Sequence, residues 1–219
     1  MSPSTSPGAG SLGILGGTFD PIHYGHLDAA DAAASALALD EVVFIPAHDP
    51  PHKPGDPGAG GAHRLQMIAL ATADRPSYRV SNIELRRNGP SYTIDTLTAL
   101  HAEGWTKSQL FFIIGSDAFA DIAKWRAYPQ VLDAATFVVI ARPGTSLQQA
   151  IDRAPETRDR VQLVEAATRD VSSTQIRSRL AARQPIDDLV PAAVARYIHA
   201  NHLYGAVDRL HGQDQTAVR

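Results

Sequence analysis

Short apolar runs alternate along the chain with longer segments in which apolar residues recur at helical spacing. The runs EVVFIP at 41–46 and QLFFIIG at 109–115 are apolar on nearly every residue, which is typical of strands covered on both faces. Residues His26–Leu39 are instead rich in Ala and Leu spaced as on one face of a helix. Strands that alternate with helices predict βαβ units and therefore a parallel sheet.

The same pattern predicts six strands and the helices that connect them. Strands are expected at Leu12–Leu15, Glu41–Pro46, Tyr78–Leu85, Gln109–Gly115, Thr136–Ala141 and Val161–Glu165. Helices are expected at His26–Leu39, Ala62–Ala73, from a cap at Ser91 through Ala102, around Ala118–Trp125 and Pro129–Ala134, and at Ser173–Ala182 and Pro191–His202. The expected fold class is α/β, a doubly wound parallel sheet with C-terminal helices.

The two ends of the chain differ in composition from the middle. Residues 1–11 are mostly Ser, Pro and Gly, and residues 205–219 are polar and aperiodic, so both segments are expected to be disordered. Residues 12–204 are expected to form a single domain, because a chain of this length suits one hydrophobic core.

Composition and charge are those of an ordinary soluble protein. Of the 219 residues, 44% are hydrophobic and 20% are charged, and the net charge of −3 gives no reason to expect nucleic acid or an anionic membrane as a partner. The chain has no cysteine, which excludes disulfides and thiolate metal sites. It shows no signal-peptide pattern and no membrane-spanning apolar stretch, so a cytoplasmic protein is expected. The sequence leaves open whether the chain forms a homo-oligomer.

A first candidate motif, GGTFDPIHYGH, directly follows the first predicted strand. Ligands of doubly wound sheets bind beyond the carboxyl ends of the strands, so this position favours a site. Gly16 and Gly17 let the backbone approach a ligand without obstruction by a Cβ atom. Asp20, followed by Pro21, is expected to cap the next helix.

Two histidines of this motif, His23 and His26, are three residues apart and are expected on one face of the helix start. Free N–H groups there favour an anion, and imidazoles can donate hydrogen bonds to phosphate oxygens. A tight turn with two surface histidines is the simpler alternative, which the preceding strand and glycine pair disfavour. A metal site that adds His48 and His52 is a further alternative, disfavoured because no carboxylate lies at a convincing ligand spacing.

A second candidate motif, VSSTQIRSRL, follows the last predicted strand. Ser172 and Gln175 fit a capping box at a helix start. Ser173, Thr174 and Arg177 would then combine hydroxyls, unpaired amides and a guanidinium, which together form a clamp for a triphosphate. Taken alone, the motif would favour an ordinary capped helix with an exposed arginine.

Together the two motifs resemble the signatures of the HxGH nucleotidyltransferases, and most closely those of the nicotinate-nucleotide adenylyltransferases. The resemblance covers about Leu12 to Tyr204. It implies a Rossmann-like nucleotidyltransferase fold and transfer of the adenylyl group of ATP to nicotinate mononucleotide. The products would be nicotinate adenine dinucleotide (deamido-NAD), an intermediate of NAD biosynthesis, and pyrophosphate. The implied cofactor is Mg²⁺, held mainly by the ATP phosphates.

The resemblance also assigns roles to individual residues. Catalytic roles fall to His23, His26 and Arg177, and ATP binding falls to Gly16, Gly17, Thr18, Phe19, Arg142, Ser173 and Thr174. Four further segments, PPHK, SYT, GSD and KW, match the part of the family that binds the mononucleotide. Their residues are Lys53, Ser91, Tyr92, Thr93, Asp117 and Trp125. The matching RPG segment carries Arg142.

Several of these residues have plainer interpretations, and other functions stay open. Lys53 alone would be a solvated loop lysine, Asp117 a helix cap and Trp125 a core residue. Within the superfamily, the acceptor could be phosphopantetheine or nicotinamide mononucleotide. Outside it, the chain could be a nucleotide-binding module without chemistry or a metal-dependent hydrolase.

Overall fold

The computed structural model describes residues 10–49, 58–141, 151, 155–158 and 160–206. Its strands are β1 (Leu12–Gly17), β2 (Glu41–Pro46), β3 (Tyr78–Val80), β4 (Leu110–Gly115), β5 (Thr136–Ala141) and β6 (Val161–Glu165). All neighbouring strands pair in parallel, in the order β3-β2-β1-β4-β5-β6. This is the strand order of a doubly wound sheet, so the predicted fold class is confirmed.

Helices cover both faces of this sheet. Those within the described residues are α1 (Tyr24–Leu37), α2 (Gly61–Ala71), α3 (Thr93–Ala102), α4 (Ser116–Phe119), α5 (Ser173–Ala181) and α6 (Ala192–Ala200). Residues of α1, α2, α5 and α6 pack into one hydrophobic core, whereas α3 and α4 pack into a second core on the other face. The segments expected to be helical around Ala118–Trp125 and Pro129–Ala134 include 3₁₀ turns at Ile122–Lys124 and Gln130–Asp133.

Strand β2 shows why the central runs are apolar on successive residues. Val42 and Phe44 face the core that contains α1 and α2, while Val43 and Ile45 face the opposite core. All four side chains are buried. Because successive side chains of a strand point to opposite faces, a sheet between two helical layers needs apolar residues at every position.

The third strand is shorter than predicted. The pattern predicts a strand over Tyr78–Leu85, but β3 ends at Val80. This strand lies at the edge of the sheet and pairs only with β2. Beyond it the chain turns, and the Arg86 N–H donates to the carbonyl oxygen of Asn82 at 3.1 Å. The apolar residues that follow Val80 therefore pack from a turn instead of extending the strand.

The strand order places β1 beside β4 in the middle of the sheet. From β1 the chain proceeds through β2 and β3 to one side, and β4 resumes on the other side. The helices that follow β1 and β4 therefore leave toward opposite faces, which opens a crevice at the carboxyl ends of these strands. In the described part of the chain, no helix has the length and apolar character needed to cross a membrane. The ends expected to be disordered fall mostly outside the described residues.

Candidate active site

A cavity of about 720 Å³ lies at the carboxyl ends of β1 and β4. This volume is in the range of pockets that bind small molecules. Of the described site candidates, all but Tyr92 line it: Gly16, Gly17, Thr18, Phe19, His23, His26, Ser91, Thr93, Asp117, Trp125, Ser173, Thr174 and Arg177. Segments that are up to 161 residues apart in sequence, from Gly16 to Arg177, therefore meet in one cavity.

The two histidines lie at the start of α1. His23 is the residue before the helix, and its backbone N–H donates to Nδ1 of His26 at 3.2 Å. The two rings stack with centroids 3.7 Å apart, and His26 also meets the edge of Phe19 at 4.9 Å. His23 is buried in this arrangement. The predicted shared face of the two histidines is confirmed.

Gly25 lies between these histidines at a place where a Cβ atom would be tightly packed. A Cβ atom built at this position would lie 3.2 Å from the carbonyl oxygen of Arg169 and 3.2 Å from Nδ1 of His23. The Arg169 segment is fixed in turn, since its guanidinium and its backbone N–H all donate to the Asp28 carboxylate on α1. The helix start is thus packed closely against the segment that leads into α5.

The prediction that Asp20 caps the first helix is wrong. The Asp20 side chain is buried, and its carboxylate accepts hydrogen bonds from the backbone N–H groups of Gly58 at 2.8 Å and Ala59 at 3.0 Å. It also accepts the Tyr204 hydroxyl at 2.7 Å. Burial and this hydrogen bond to Asp20 raise the pKa of Tyr204. Asp20 therefore joins the first motif to the chain segment before α2 and to the C-terminal end of the fold, while His23 takes the capping position.

A buried arginine completes the environment of Asp20. Arg64 on α2 is 1% exposed and donates to the carbonyl oxygen of Thr18 at 2.7 Å and to that of Ala59 at 3.1 Å. Burial lowers the pKa of Arg64, and the nearby charge of Asp20 opposes part of that effect. Arg64 therefore fixes the loop after β1 from beneath the cavity.

The second motif contacts the first one directly. Ser172 precedes α5, and its hydroxyl accepts the N–H of Gln175 at 3.1 Å, which confirms the predicted cap. Ser173 donates its hydroxyl proton to the carbonyl oxygen of Pro21 at 2.9 Å. Arg177 donates to the carbonyl oxygen of Asp20 at 2.7 Å and lies 3.6 Å from its carboxylate. The two helix starts are therefore held side by side at the same edge of the sheet.

On the other side of the crevice, the cap of α3 lies one residue later than predicted. Tyr92, not Ser91, is the residue before the helix. The Ser91 hydroxyl instead accepts the backbone N–H of His48 at 2.9 Å, and the Ser91 N–H donates to the carbonyl oxygen of Asp49 at 2.8 Å. The Tyr92 ring packs under the Arg126 guanidinium, 4.6 Å from its centroid. Thr93 is thus the SYT residue at the helix start that lines the cavity.

A buried glutamate lies beside this helix start. Glu84 lines the cavity and accepts the hydroxyl of Thr96 at 2.6 Å, and Arg87 donates to the same hydroxyl group at 3.1 Å. Burial raises the pKa of Glu84, and hydrogen bonds from Thr96 and Ser91 counteract part of the rise. Ser91 therefore lies beside Glu84 and is held by the segment after β2.

Two further candidates face the cavity from the region after β4. Asp117 lies exposed in the first turn of α4. Trp125 is half-buried and meets Phe112 edge-to-face with ring centroids 5.9 Å apart, and Phe137 at 6.4 Å. The Trp125 ring both packs on the core and lines the cavity, so the structure is compatible with a core residue and with a ligand contact.

The two remaining candidates, Lys53 and Arg142, lie outside the described residues. So does His52, which the metal alternative requires. Within the part of the chain that the structure describes, no group of three or more His, Asp or Glu side chains could hold a metal ion.

Sequence reasoning missed three residues around the cavity, namely Arg64, Glu84 and Tyr204. A signal existed for Arg64, because it lies three and four residues before the buried Met67 and Ile68 and thus on the apolar face of α2. Glu84 and Tyr204 lie in turns without periodicity, and no local pattern identifies them.

The chain is similar to known proteins over most of its length. Residues 14–179 match the family described as cytidylyltransferase-like. A protein of Roseiflexus sp. (strain RS-1), named "Probable nicotinate-nucleotide adenylyltransferase", is 47% identical over 195 residues, which cover 88% of this chain and 97% of that one. A protein of the same name from Corynebacterium kroppenstedtii is 44% identical over 200 residues, covering 91% and 93%.

A solved structure has the same fold. It is the nicotinic acid mononucleotide adenylyltransferase of Plasmodium falciparum complexed with NaAD, at a TM-score of 0.72 and 20% identity, with 90% of this chain and 98% of that chain covered. At 20% identity this likeness shows a shared fold only. The bacterial relatives, at 44% and 47% identity, show the family. The chain belongs to the cytidylyltransferase-like family and, within it, to the nicotinate-nucleotide adenylyltransferases.

Proposed function

We propose that this protein transfers the adenylyl group of ATP to nicotinate mononucleotide, giving nicotinate adenine dinucleotide and pyrophosphate. The observation that carries the proposal is the direct contact between the two motifs. Ser173 and Arg177 donate to the carbonyl oxygens of Pro21 and Asp20, so the start of α5 and the start of α1 open into one cavity. Two helix starts with histidines and an arginine are suited to a chain of phosphates.

The proposed reaction is an in-line displacement at the α-phosphorus of ATP. An oxygen of the mononucleotide phosphate forms the new bond to phosphorus, and the bond from phosphorus to the oxygen bridging the α- and β-phosphates breaks. The bonding electrons leave with pyrophosphate. A phosphate is already a nucleophile at neutral pH, so the protein needs no general base and acts by positioning and electrostatic stabilisation.

The phosphate side of the cavity suggests a division of roles. His23 and His26 would donate hydrogen bonds to the α-phosphate and to the leaving oxygen, because their stacked rings lie at the helix start directly beyond β1. Arg177, Thr174 and the free amides at the start of α5 would bind the β- and γ-phosphates. The exposed backbone of Gly16 and the neighbouring Gly17 would let the nucleotide lie close to the strand.

A divalent cation fits this site as a companion of ATP. The donor set around the described cavity consists mainly of histidines, hydroxyls, amides and an arginine, which suit phosphate oxygens better than a cation. Mg²⁺ would therefore be held mainly by the ATP phosphates, where it would neutralise their charge.

The acceptor side would be formed by the start of α3 and the region after β4. Thr93 and the first N–H groups of α3 would face the nicotinate carboxylate, since a helix N-terminus favours negative charge. Trp125 would pack against the pyridine ring, and Asp117 would accept hydrogen bonds from ribose hydroxyls. Lys53 and Arg142 lie outside the described residues. Lys53 would meet the phosphate of the mononucleotide, and Arg142 would border the ATP site.

The test is an acceptor comparison with ATP and Mg²⁺. The purified protein is incubated with nicotinate mononucleotide, nicotinamide mononucleotide or 4′-phosphopantetheine, and dinucleotide or dephospho-coenzyme A and pyrophosphate are quantified. We expect kcat/KM for nicotinate mononucleotide to exceed that for nicotinamide mononucleotide by about 10²-fold. An amide would leave buried N–H donors unpaired at about 1–3 kcal/mol each, and 1.4 kcal/mol corresponds to a factor of ten.

Each outcome separates one part of the proposal. Comparable kcat/KM for the two pyridine mononucleotides would refute the carboxylate pocket at α3 but leave adenylyl transfer intact. Turnover of 4′-phosphopantetheine alone would refute the proposed acceptor. Binding of ATP without release of pyrophosphate in the presence of any of the three acceptors would refute the enzymatic function.

A further inference from the structure

The Asp20 carboxylate is shared between the C-terminal end of the fold and Arg177. One of its oxygens accepts the Tyr204 hydroxyl at 2.7 Å and the Ala59 N–H at 3.0 Å. The other accepts the Gly58 N–H at 2.8 Å and lies 3.6 Å from Nη1 of Arg177. A distance of 3.6 Å is longer than a hydrogen bond, so the carboxylate attracts Arg177 without binding it directly.

The same nitrogen of Arg177 is instead bound to the protein backbone. Nη1 donates to the carbonyl oxygen of Asp20 at 2.7 Å, and Nη2 lies 3.4 Å from the Thr174 hydroxyl. The N–H groups of Gly58 and Ala59 and the Tyr204 hydroxyl donate hydrogen bonds to the Asp20 carboxylate. These bonds stabilise its negative charge, which would otherwise compete with phosphate for the Arg177 guanidinium.

Tyr204 is held in an unusual conformation at this place. Its φ and ψ angles are 58° and 28°, in the left-handed region that residues with a Cβ atom rarely adopt. Residues in such conformations persist where the surrounding structure fixes them, often at functional sites. A Cβ atom built on Gly58 would lie 3.0 Å from the Tyr204 ring and 3.5 Å from Cδ of Arg177, so Gly58 separates the two side chains closely.

We infer that Tyr204 is a positioning residue for ATP binding: by donating to Asp20 it keeps this carboxylate from drawing Arg177 away from the β- and γ-phosphates. The inference rests on the proposed phosphate role of Arg177. Loss of the hydroxyl leaves each carboxylate oxygen with a single backbone donor, so the carboxylate attracts Arg177 more strongly and the ion pair tightens. The guanidinium gains a partner within the protein and binds phosphate less well.

A second tyrosine provides a matched control for simple loss of packing. The Tyr197 hydroxyl on α6 lies 2.9 Å from Nδ1 of His63 on α2. Like Tyr204 it is half-buried and joins the C-terminal part of the chain to the region of α2, but neither Tyr197 nor His63 lines the cavity. Tyr204→Phe and Tyr197→Phe therefore remove the same atom, one beside Arg177 and one away from it.

The experiment is a double-mutant cycle on ATP binding, measured by calorimetry with Mg²⁺ and ATP and no acceptor. Tyr204→Phe and Tyr197→Phe are each made in the wild-type chain and in an Arg177→Ala chain. We expect Tyr204→Phe to raise Kd about fivefold in the wild-type chain, which is about 1 kcal/mol at 1.4 kcal/mol per factor of ten. In the Arg177→Ala chain the increase should be below about twofold, and Tyr197→Phe should change Kd by less than about twofold in both.

Steady-state kinetics provide an independent readout. Tyr204→Phe should raise KM for ATP and leave KM for nicotinate mononucleotide unchanged, whereas a general loosening of the fold would raise both. An equal increase of Kd in the two backgrounds, or an equal effect of the two tyrosine variants, overturns the inference. If the expected cycle is found but no dinucleotide forms, Tyr204 keeps its positioning role and the proposed function is refuted. If dinucleotide forms and Tyr204→Phe binds ATP like the wild type, the function stands and the inference is refuted.

Discussion

Replacing Gly25 by alanine separates helix stability from the placement of the candidate catalytic histidine. Gly25 is the second residue of α1, and alanine favours a helix over glycine by about 1 kcal/mol. From propensity alone, Gly25→Ala should therefore stabilise the protein. The new Cβ atom, however, would lie 3.2 Å from both the Arg169 carbonyl oxygen and Nδ1 of His23 and 3.3 Å from Cε1 of His23.

Relief of these contacts requires a shift of a few tenths of an ångström. The Arg169 segment is the less mobile neighbour, because its guanidinium and N–H are bound to Asp28 and the guanidinium packs 3.8 Å from the Tyr24 ring centroid. The His23 ring should therefore move. A misplacement of about 1 Å can reduce turnover about 10²-fold. The smaller shift of a few tenths of an ångström should therefore lower kcat about tenfold.

The assay compares kcat for dinucleotide formation with the melting temperature of each variant. Gly25→Ala should lower kcat about tenfold while Tm changes by less than about 3 °C, since about 1 kcal/mol shifts Tm by about 2–4 °C in a domain of this size. Gly60→Ala is the control, because a Cβ atom there meets nothing within 4 Å. Its kcat should stay within about twofold. Unchanged kcat in Gly25→Ala would refute the inference that the absence of a Cβ atom at Gly25 is needed for the position of the His23 ring.

The other predictions concern the histidines, the arginine and the buried glutamate. His23→Ala and His26→Ala should each lower kcat by about 10²-fold or more, because each removes a preorganised hydrogen-bond donor to the transition state, and Tm should fall little. Near-normal turnover in either variant would exclude that histidine from the chemistry. Arg177→Lys keeps the charge but loses the fork of the guanidinium, so kcat/KM for ATP should fall about tenfold, and equal activity would make Arg177 a generic cation. Burial raises the pKa of Glu84 in the folded protein above its pKa in the unfolded chain. Ionised Glu84 therefore lowers the free energy of unfolding above the folded-state pKa, whereas well below the unfolded-state pKa Glu84 is neutral in both states and has no such effect. Glu84→Gln should therefore raise Tm more at pH 8 than at pH 4, and a gain that is equal or larger at pH 4 would contradict this assignment.

The sequence by itself determined the layers of the fold and the edge of the sheet at which the candidate site lies. Runs such as Glu41–Pro46 are apolar on successive residues, as strands covered by helices on both faces need to be. A glycine pair at the end of a strand, with two histidines at the next helix start, points to the carboxyl edge of the sheet before any coordinates are known. These are local patterns, and hydrogen bonding and burial within a few residues decide them.

Only the tertiary structure decided which partner each polar side chain finds. Asp20 has the sequence of a helix cap, yet its carboxylate accepts from Gly58, Ala59 and Tyr204, the last of them 184 residues away. Ser91 likewise bonds to His48 instead of capping α3. Capping competes with long-range hydrogen bonds of similar strength, and a buried carboxylate takes the arrangement that satisfies the most donors. Which donors lie within reach depends on the packing of α2, α5 and the C-terminal turn around the sheet, and no local pattern in the chain specifies that packing.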